Sequence, residues 1–135
     1  AAFALRKGNK QKIQSVAADH IKYRKERHPL EYPNAGSVFK NCDVKKFSPV
    51  LQKKLQPAVK TDPFPVVPTA YLNDQAGLKG MRQNGIQVST KHPNYMVNLG
   101  RGKAKDVMLL VQKVKKIIKK KFGVDLQEEI EYVGD

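Results

Sequence analysis

One pattern near the C-terminus limits the possible folds more than any other. Between residues 103 and 122, Ala104, Val107, Met108, Val111, Val114, Ile118 and Phe122 recur every three or four positions, and Gly123 follows directly. Apolar residues at that spacing form one stripe of an α-helix, and a glycine just beyond it supplies the left-handed residue that ends one. About 30 Å of helix with a single apolar stripe must lie on another layer, so the stripe is expected to face the core, with Met108 as ordinary packing. The middle of the chain supplies no partner helix of similar length. Pro29 and Pro33 force extended backbone, and Pro57, Pro63, Pro65 and Pro68 make a connection in which a helix cannot continue. Short strands are what remain. Alternation predicts strands over 86–89 and 95–99, joined by a polar loop at 90–94 and preceded by a turn over 78–85; a last strand is expected at about 130–133.

Shorter helices fit around the prolines. Phe47, Val50, Leu51 and Leu55 predict a helix over 47–56, and Thr69 caps another that runs to residue 76 and ends at Gly77. Asn9 is a suitable N-cap for a helix reaching about residue 25, with Ile13, Val16, Ala17 and Ile21 on one face and His20 and Tyr23 flanking it. His20 has no second ligand at metal spacing and reads as a boundary residue. Before the helix, Phe3 and Leu5 alternate with small residues like a strand already under way, and Arg6-Lys7-Gly8-Asn9 makes a turn. The order of elements gives an α+β fold: a small sheet with helices packed on it, two layers, one domain. With no initiator Met before that first strand, the expectation is a C-terminal piece of a longer polypeptide.

A length of 135 residues allows one domain with a real core. The single cysteine, Cys42, excludes an internal disulfide and fits a reducing compartment, the cytoplasm. No apolar run approaches the ~18 residues of a membrane span, so no membrane partner is expected. The formal net charge of +14 has two readings. A basic surface attracts nucleic acid, anionic membrane or a phosphorylated ligand. Lys103, Lys105, Lys113, Lys115, Lys116, Lys119, Lys120 and Lys121, however, all lie in the helical segment, where they can face solvent. Trp is absent, aromatics are not interleaved with bases, and no RNP string, zinc-finger spacing or basic zipper is present. A solvated helix face accounts for the charge, with an electrostatic funnel for a phosphorylated ligand as a second contribution. A basic nucleic-acid-binding module stands as the alternative. Gly100-Arg101-Gly102 lacks the rest of a phosphate-cradling glycine fingerprint.

The candidate chemistry lies in the stretch from Glu31 to Asn41. Pro33 fixes its own φ, Asn34-Ala35-Gly36 offers a tight bend, and Gly36 permits positive φ or close approach of another molecule. An alternating strand over 37–41 would turn Val38 to one side and Ser37, Phe39 and Asn41 to the other, with Lys40 turned away from that second face. A hydroxyl and an amide on one surface can hold and protonate something polar. Spacing alone would leave this a structural turn.

The whole string Glu31-Tyr32-Pro33-Asn34-Ala35-Gly36-Ser37-Val38-Phe39-Lys40-Asn41 resembles the Pro-Ser/Asn-Ala-Gly-Ser-x-Phe-Lys-Asn segment of the UDP-N-acetylenolpyruvoylglucosamine reductases, flavoenzymes also called UDP-N-acetylmuramate dehydrogenases. Three further segments resemble that family in the right order: Tyr71-Leu72-Asn73-Asp74-Gln75-Ala76-Gly77-Leu78-Lys79-Gly80, Gln87-Val88-Ser89-Thr90-Lys91-His92-Pro93-Asn94, and Lys121-Phe122-Gly123-Val124-Asp125-Leu126-Gln127-Glu128-Glu129-Ile130. The match that these ordered segments mark covers nearly all of the chain. The resemblance implies that residues 9–135 are the substrate-binding, proton-donating domain. Residues 1–8 would be the last strand of a flavin-binding part of the same polypeptide. It implies FAD as cofactor, NADPH as reductant and UDP-N-acetylglucosamine enolpyruvate as substrate, in peptidoglycan precursor synthesis. With the flavin held upstream, this chain alone is expected to bind none tightly and not to turn over.

The resemblance also implies site residues. Ser37 stands where the family places its proton donor, and Glu129 matches the second catalytic residue in Leu-x-x-Glu-Ile. An ionised glutamate would repel the carboxylate-stabilised intermediate, so Glu129 would have to be protonated or share a proton, which apolar neighbours Leu126 and Ile130 could favour by burial. Composition cannot choose among Glu128, Glu129 and Glu131; the motif does. Asn41 would contact diphosphate or sugar, Arg27 would stand near the diphosphate, and His92 fits the substrate-side loop, with Lys40 ranked below Asn41. Phe64, in a loop at 61–65 within an insertion of variable length, is placed to cover the substrate or to pin the loop. One departure is Glu131, where relatives commonly carry Arg; it puts in doubt a cation beside the flavin or the intermediate.

Overall fold

The computed structural model describes residues 2–134. They run as helix α1 (Lys10–Arg27), strands β1 (Asn34–Ser37) and β2 (Cys42–Asp43), helix α2 (Pro49–Leu55), strand β3 (Val66–Val67), helix α3 (Thr69–Gln75), strands β4 (Arg82–Gln83), β5 (Ile86–Val88) and β6 (Tyr95–Asn98), and helix α4 (Ala104–Phe122). An antiparallel sheet in the order β1-β6-β5-β4 carries α4 against β4 and β5, and β2 pairs with β3 in a separate ribbon. This is an α+β fold of two layers.

Helix α4 ends as its sequence dictates, at Gly123 with φ 73° and its N–H bonded to Lys119 O. The arc it buries is Asp106, Leu110, Val111, Val114, Ile118 and Phe122. That is rotated from the expected stripe: Ala104 is exposed and Met108 is 47% exposed, while Leu110 is fully covered. Spacing defines a face but not its edges. Asp106 is buried there because it accepts from Lys103 N (2.9 Å) and Asn84 Nδ2 (2.6 Å), which anchors the helix start to the β4–β5 turn. The lysine face is solvated and partly tied down locally. Lys113 reaches Gln83, Lys115 reaches Glu128 at 2.8 Å, Lys119 reaches Asp125, and Lys121 reaches Gln75 O.

Elsewhere the boundaries shift for identifiable reasons. The helix expected over 47–56 starts at Pro49, because Ser48 Oγ accepts from Leu51 N and Pro49 fits the first turn; Phe47 stays outside it, buried at 3% exposure. Thr69 does not cap α3; its hydroxyl donates to Lys40 O at 2.6 Å. The β2–β3 ribbon and β4 are too short to show alternation, and β3 hides among prolines. No strand forms over 130–133. Pairing with that tail comes earlier, at the bridge between Phe39 and Glu128.

The N-terminal segment departs most. Asn9 Oδ1 caps α1 by accepting from Lys12 N at 3.0 Å. Yet α1 has no buried residue, and Ile13, Val16 and Ile21 are 59%, 46% and 55% exposed. Its apolar face is uncovered by the described residues. Residues 2–9 form no strand, and Phe3 and Leu5 are exposed. No helix among the described residues is long and apolar enough to cross a membrane.

Candidate active site

Ser37 is the last residue of β1, one place after Gly36, which takes φ 81° and has open space where a Cβ would stand. Asn34 fixes this bend: its Oδ1 accepts from Gly36 N at 3.0 Å and its Nδ2 donates to Tyr32 O at 2.8 Å. After Ser37 the chain leaves the sheet. Val38 and Phe39 are both buried, at 3% and 1% exposure, so the simple alternation expected over 37–41 does not hold. Two neighbours bind the backbone here. On one side Val38 N donates to Asn94 O, and the buried Asn94 amide takes both polar groups of Phe39, donating to its O at 2.8 Å and accepting from its N at 3.2 Å. On the other, Glu129 N donates to Val38 O (2.8 Å) and Lys40 N to Gln127 O (2.9 Å).

That second pairing brings Glu129 beside Ser37. Both line one cleft of about 490 Å³, together with Lys40 and Asn41. Lys40 is therefore not turned away, because the backbone twist at Val38–Phe39 breaks the two-residue period. Asn41 commits its Oδ1 to Thr69 N at 3.2 Å, at the start of α3, which leaves its amide N–H groups for the cleft. The loop carrying Asp62 and the 57% exposed Phe64 forms a third wall. Of the three neighbouring carboxylates, Glu128 is spent on Lys115 at 2.8 Å and Glu131 does not line the cleft; Glu129 does. Glu129 is exposed, though, and Leu126 and Ile130 pack into the core instead of around it. The described residues do not bury its carboxyl as expected.

Arg27 and His92 do not line this cleft. Arg27 closes α1 and folds back on Tyr23, its Nη1 donating to the phenol oxygen at 3.2 Å and its guanidinium 4.3 Å above the ring. His92 lies one strand over, in a cluster with Tyr95 (ring centroids 4.7 Å apart) and His28 (5.4 Å), while Tyr95 pairs with Ser37 across the sheet. His28 Nδ1 lies 3.3 Å from Tyr95 Oη, and His92 Nδ1 is buried without a partner among the described residues. Burial, then the adjacent His28, push the His92 imidazole below its ordinary value. A histidine held low contributes stability that is complete above the ordinary value, near pH 6.5, and lost as pH falls through the folded one, because the unfolded chain takes up the proton first. Urea midpoints are therefore expected to drop between pH 7.5 and pH 5 by more in the wild type than in His92→Gln. Equal drops would remove His92 as the cause.

Asn94, Gln127 and Lys46 also shape the cleft and carried no signal of their own in sequence. Asn94 lay inside a segment matching the family, yet nothing marked it as buried and bonded to a strand 55 residues away.

A family model described as the UDP-N-acetylenolpyruvoylglucosamine reductase C-terminal domain matches residues 28–133. A UDP-N-acetylenolpyruvoylglucosamine reductase from Clostridium novyi is 35% identical over all of this chain, which spans 37% of that relative. A second, from Symbiobacterium thermophilum, is 36% identical over 97% of the chain and 35% of the relative. Among solved structures, the crystal structure of the UDP-N-acetylenolpyruvylglucosamine reductase from Thermus caldophilus superposes with a TM-score of 0.63, at 28% identity, over 95% of this chain and 37% of that one. The chain thus spans little more than a third of these relatives. With its C-terminal domain model matched across most of its length and its fold shared, the chain belongs to the UDP-N-acetylenolpyruvoylglucosamine reductase family.

Proposed function

We propose that this chain is the substrate-binding and proton-donating domain of a reductase that converts UDP-N-acetylglucosamine enolpyruvate to UDP-N-acetylmuramate with NADPH. The reaction belongs to peptidoglycan precursor synthesis in the cytoplasm. Support comes from one observation above all: Ser37 and Glu129, at opposite ends of the sequence, line the same cleft.

No glycine-rich phosphate cradle occurs in the sequence, so FAD is held mainly by another part of the same polypeptide. The open space over Gly36 leaves room for a flat ring to approach the backbone beside Ser37. When bound, the flavin supplies hydride from NADPH to one carbon of the substrate double bond. The chain's own residues do the rest. Charge builds on the neighbouring carbon and its carboxylate; the Ser37 O–H bond breaks as a C–H bond forms there, and the seryl oxygen recovers a proton from solvent. Glu129, carrying or sharing a proton, would donate to the developing negative charge. That role needs the cleft closed to water, and the flavin-bearing part is what closes it. The uncovered apolar face of α1, which precedes the family match at residue 28, gives that part a surface to pack on. Asn41 and Lys40 hold the polar parts of the substrate. Arg27 and His92, away from the cleft, reach the substrate only at its margins.

A basic nucleic-acid-binding module has no support from the fold or from the relatives. The test is the longer, flavin-bearing polypeptide: NADPH consumption is expected to depend on added enolpyruvyl UDP-sugar and to yield the reduced sugar in equal amount. Flavin-bearing protein that leaves the enolpyruvyl compound unreduced overturns the proposal.

A further inference from the structure

The cleft has an unbalanced charge. Asp43, Asp62 and Glu129 line it, against two cations, Lys40 and Lys46. Neither lysine forms an ion pair among the described residues, whereas Lys79, Lys91, Lys115 and Lys119 do. Carboxyl groups outnumber ammonium groups in this lining, so a diphosphate entering it depends on those two cations, and removing either tilts the balance further toward repulsion.

The backbone at Lys46 is held in place from both sides. It ends a one-turn 3-10 segment, Val44–Lys46, that begins where Asp43 Oδ1 accepts from Lys45 N at 2.9 Å. Phe47 follows directly, buried at 3% exposure, with its N–H bonded to Val44 O. Lys46 also lines the adjoining depression of about 340 Å³ formed with Gly123, Asp125 and Gln127. It therefore stands on the ridge between two hollows, while Ser37 and Glu129 lie in the first. A substrate with its reacting end at Ser37 can extend its anionic linker along this ridge, where Lys46 supplies a cation from a second element.

We infer that Lys46 is a substrate-positioning residue that binds the diphosphate and so selects nucleoside-diphosphate sugars; this rests on the proposed function above. The closing experiment uses the longer, flavin-bearing polypeptide. Lys46→Ala is expected to raise KM for the enolpyruvyl UDP-sugar about tenfold, with kcat changed less than about twofold. Inhibition by UDP weakens in parallel, and inhibition by uridine stays the same. Lys46→Arg keeps the charge and restores KM, which excludes misfolding as the cause. Unchanged KM and UDP inhibition in Lys46→Ala overturn the assignment alone. A wild-type polypeptide that does not reduce the substrate overturns the proposed function and this assignment together.

Discussion

Replacing Ser37 with alanine in the flavin-bearing polypeptide is expected to lower product formation by about 10²–10⁴-fold, the range for loss of a positioned general acid. Reduction of the flavin by NADPH, which needs no proton on the substrate carbon, should continue at its wild-type rate. The two half-reactions thus separate chemistry from folding. Stability should barely move, because the Ser37 hydroxyl makes no side-chain hydrogen bond among the described residues and the site is only half-buried. KM should also change little, since the effect is confined to the transition state. Stopped-flow measurement of each half-reaction decides the matter. Undiminished product formation in Ser37→Ala would assign the proton to another group.

The second large effect concerns a residue that touches no reacting atom. Asn94 is 5% exposed, and its amide satisfies both the N–H and the C=O of Phe39. Truncation to alanine leaves two buried backbone groups without partners, and each such orphan costs about 1–3 kcal/mol. Asn94→Ala is therefore expected to lose about 2–4 kcal/mol of folding stability, read as a shift in urea midpoint at constant slope. Cleft geometry should suffer with it, because Val38 and Phe39 fix the direction in which Ser37 and Lys40 project. A loss below about 0.5 kcal/mol, the range of ordinary surface substitutions, would show that the strand is held by other contacts.

Some of this structure was legible in the residues alone and some was not. Helix α4 was visible because its stripe is long and Gly123 marks its end; α1 was visible through Asn9 and its apolar spacing. What periodicity could not report was which surface covers a face. The Ile13, Val16 and Ile21 face reads the same whether its partner lies in this chain or outside it. Short pairings were also hidden. The two residues of β2 and the two of β3 contain no alternation to detect, and the Phe39–Glu128 bridge joins segments with no local mark of contact. The site was legible in the same uneven way. Ser37 and Glu129 came from ordered motifs, and the cleft they share required the backbone pairing of residues 38–40 with 127–129. Lys40 escapes strand alternation because β1 ends at Ser37 and the next two residues, Val38 and Phe39, are both buried.

That pairing has a consequence for biosynthesis. Lys40 N bonds to Gln127 O, and Glu129 N to Val38 O, so one wall of the pocket is supplied by residues 127–129. During translation, every residue up to about position 126 can have left the ribosome before the acid and its neighbour meet. A nascent chain that stalls there holds a serine on an unfinished edge, open to solvent and without its glutamate. Competence arrives only once residues 127–129 have emerged and paired.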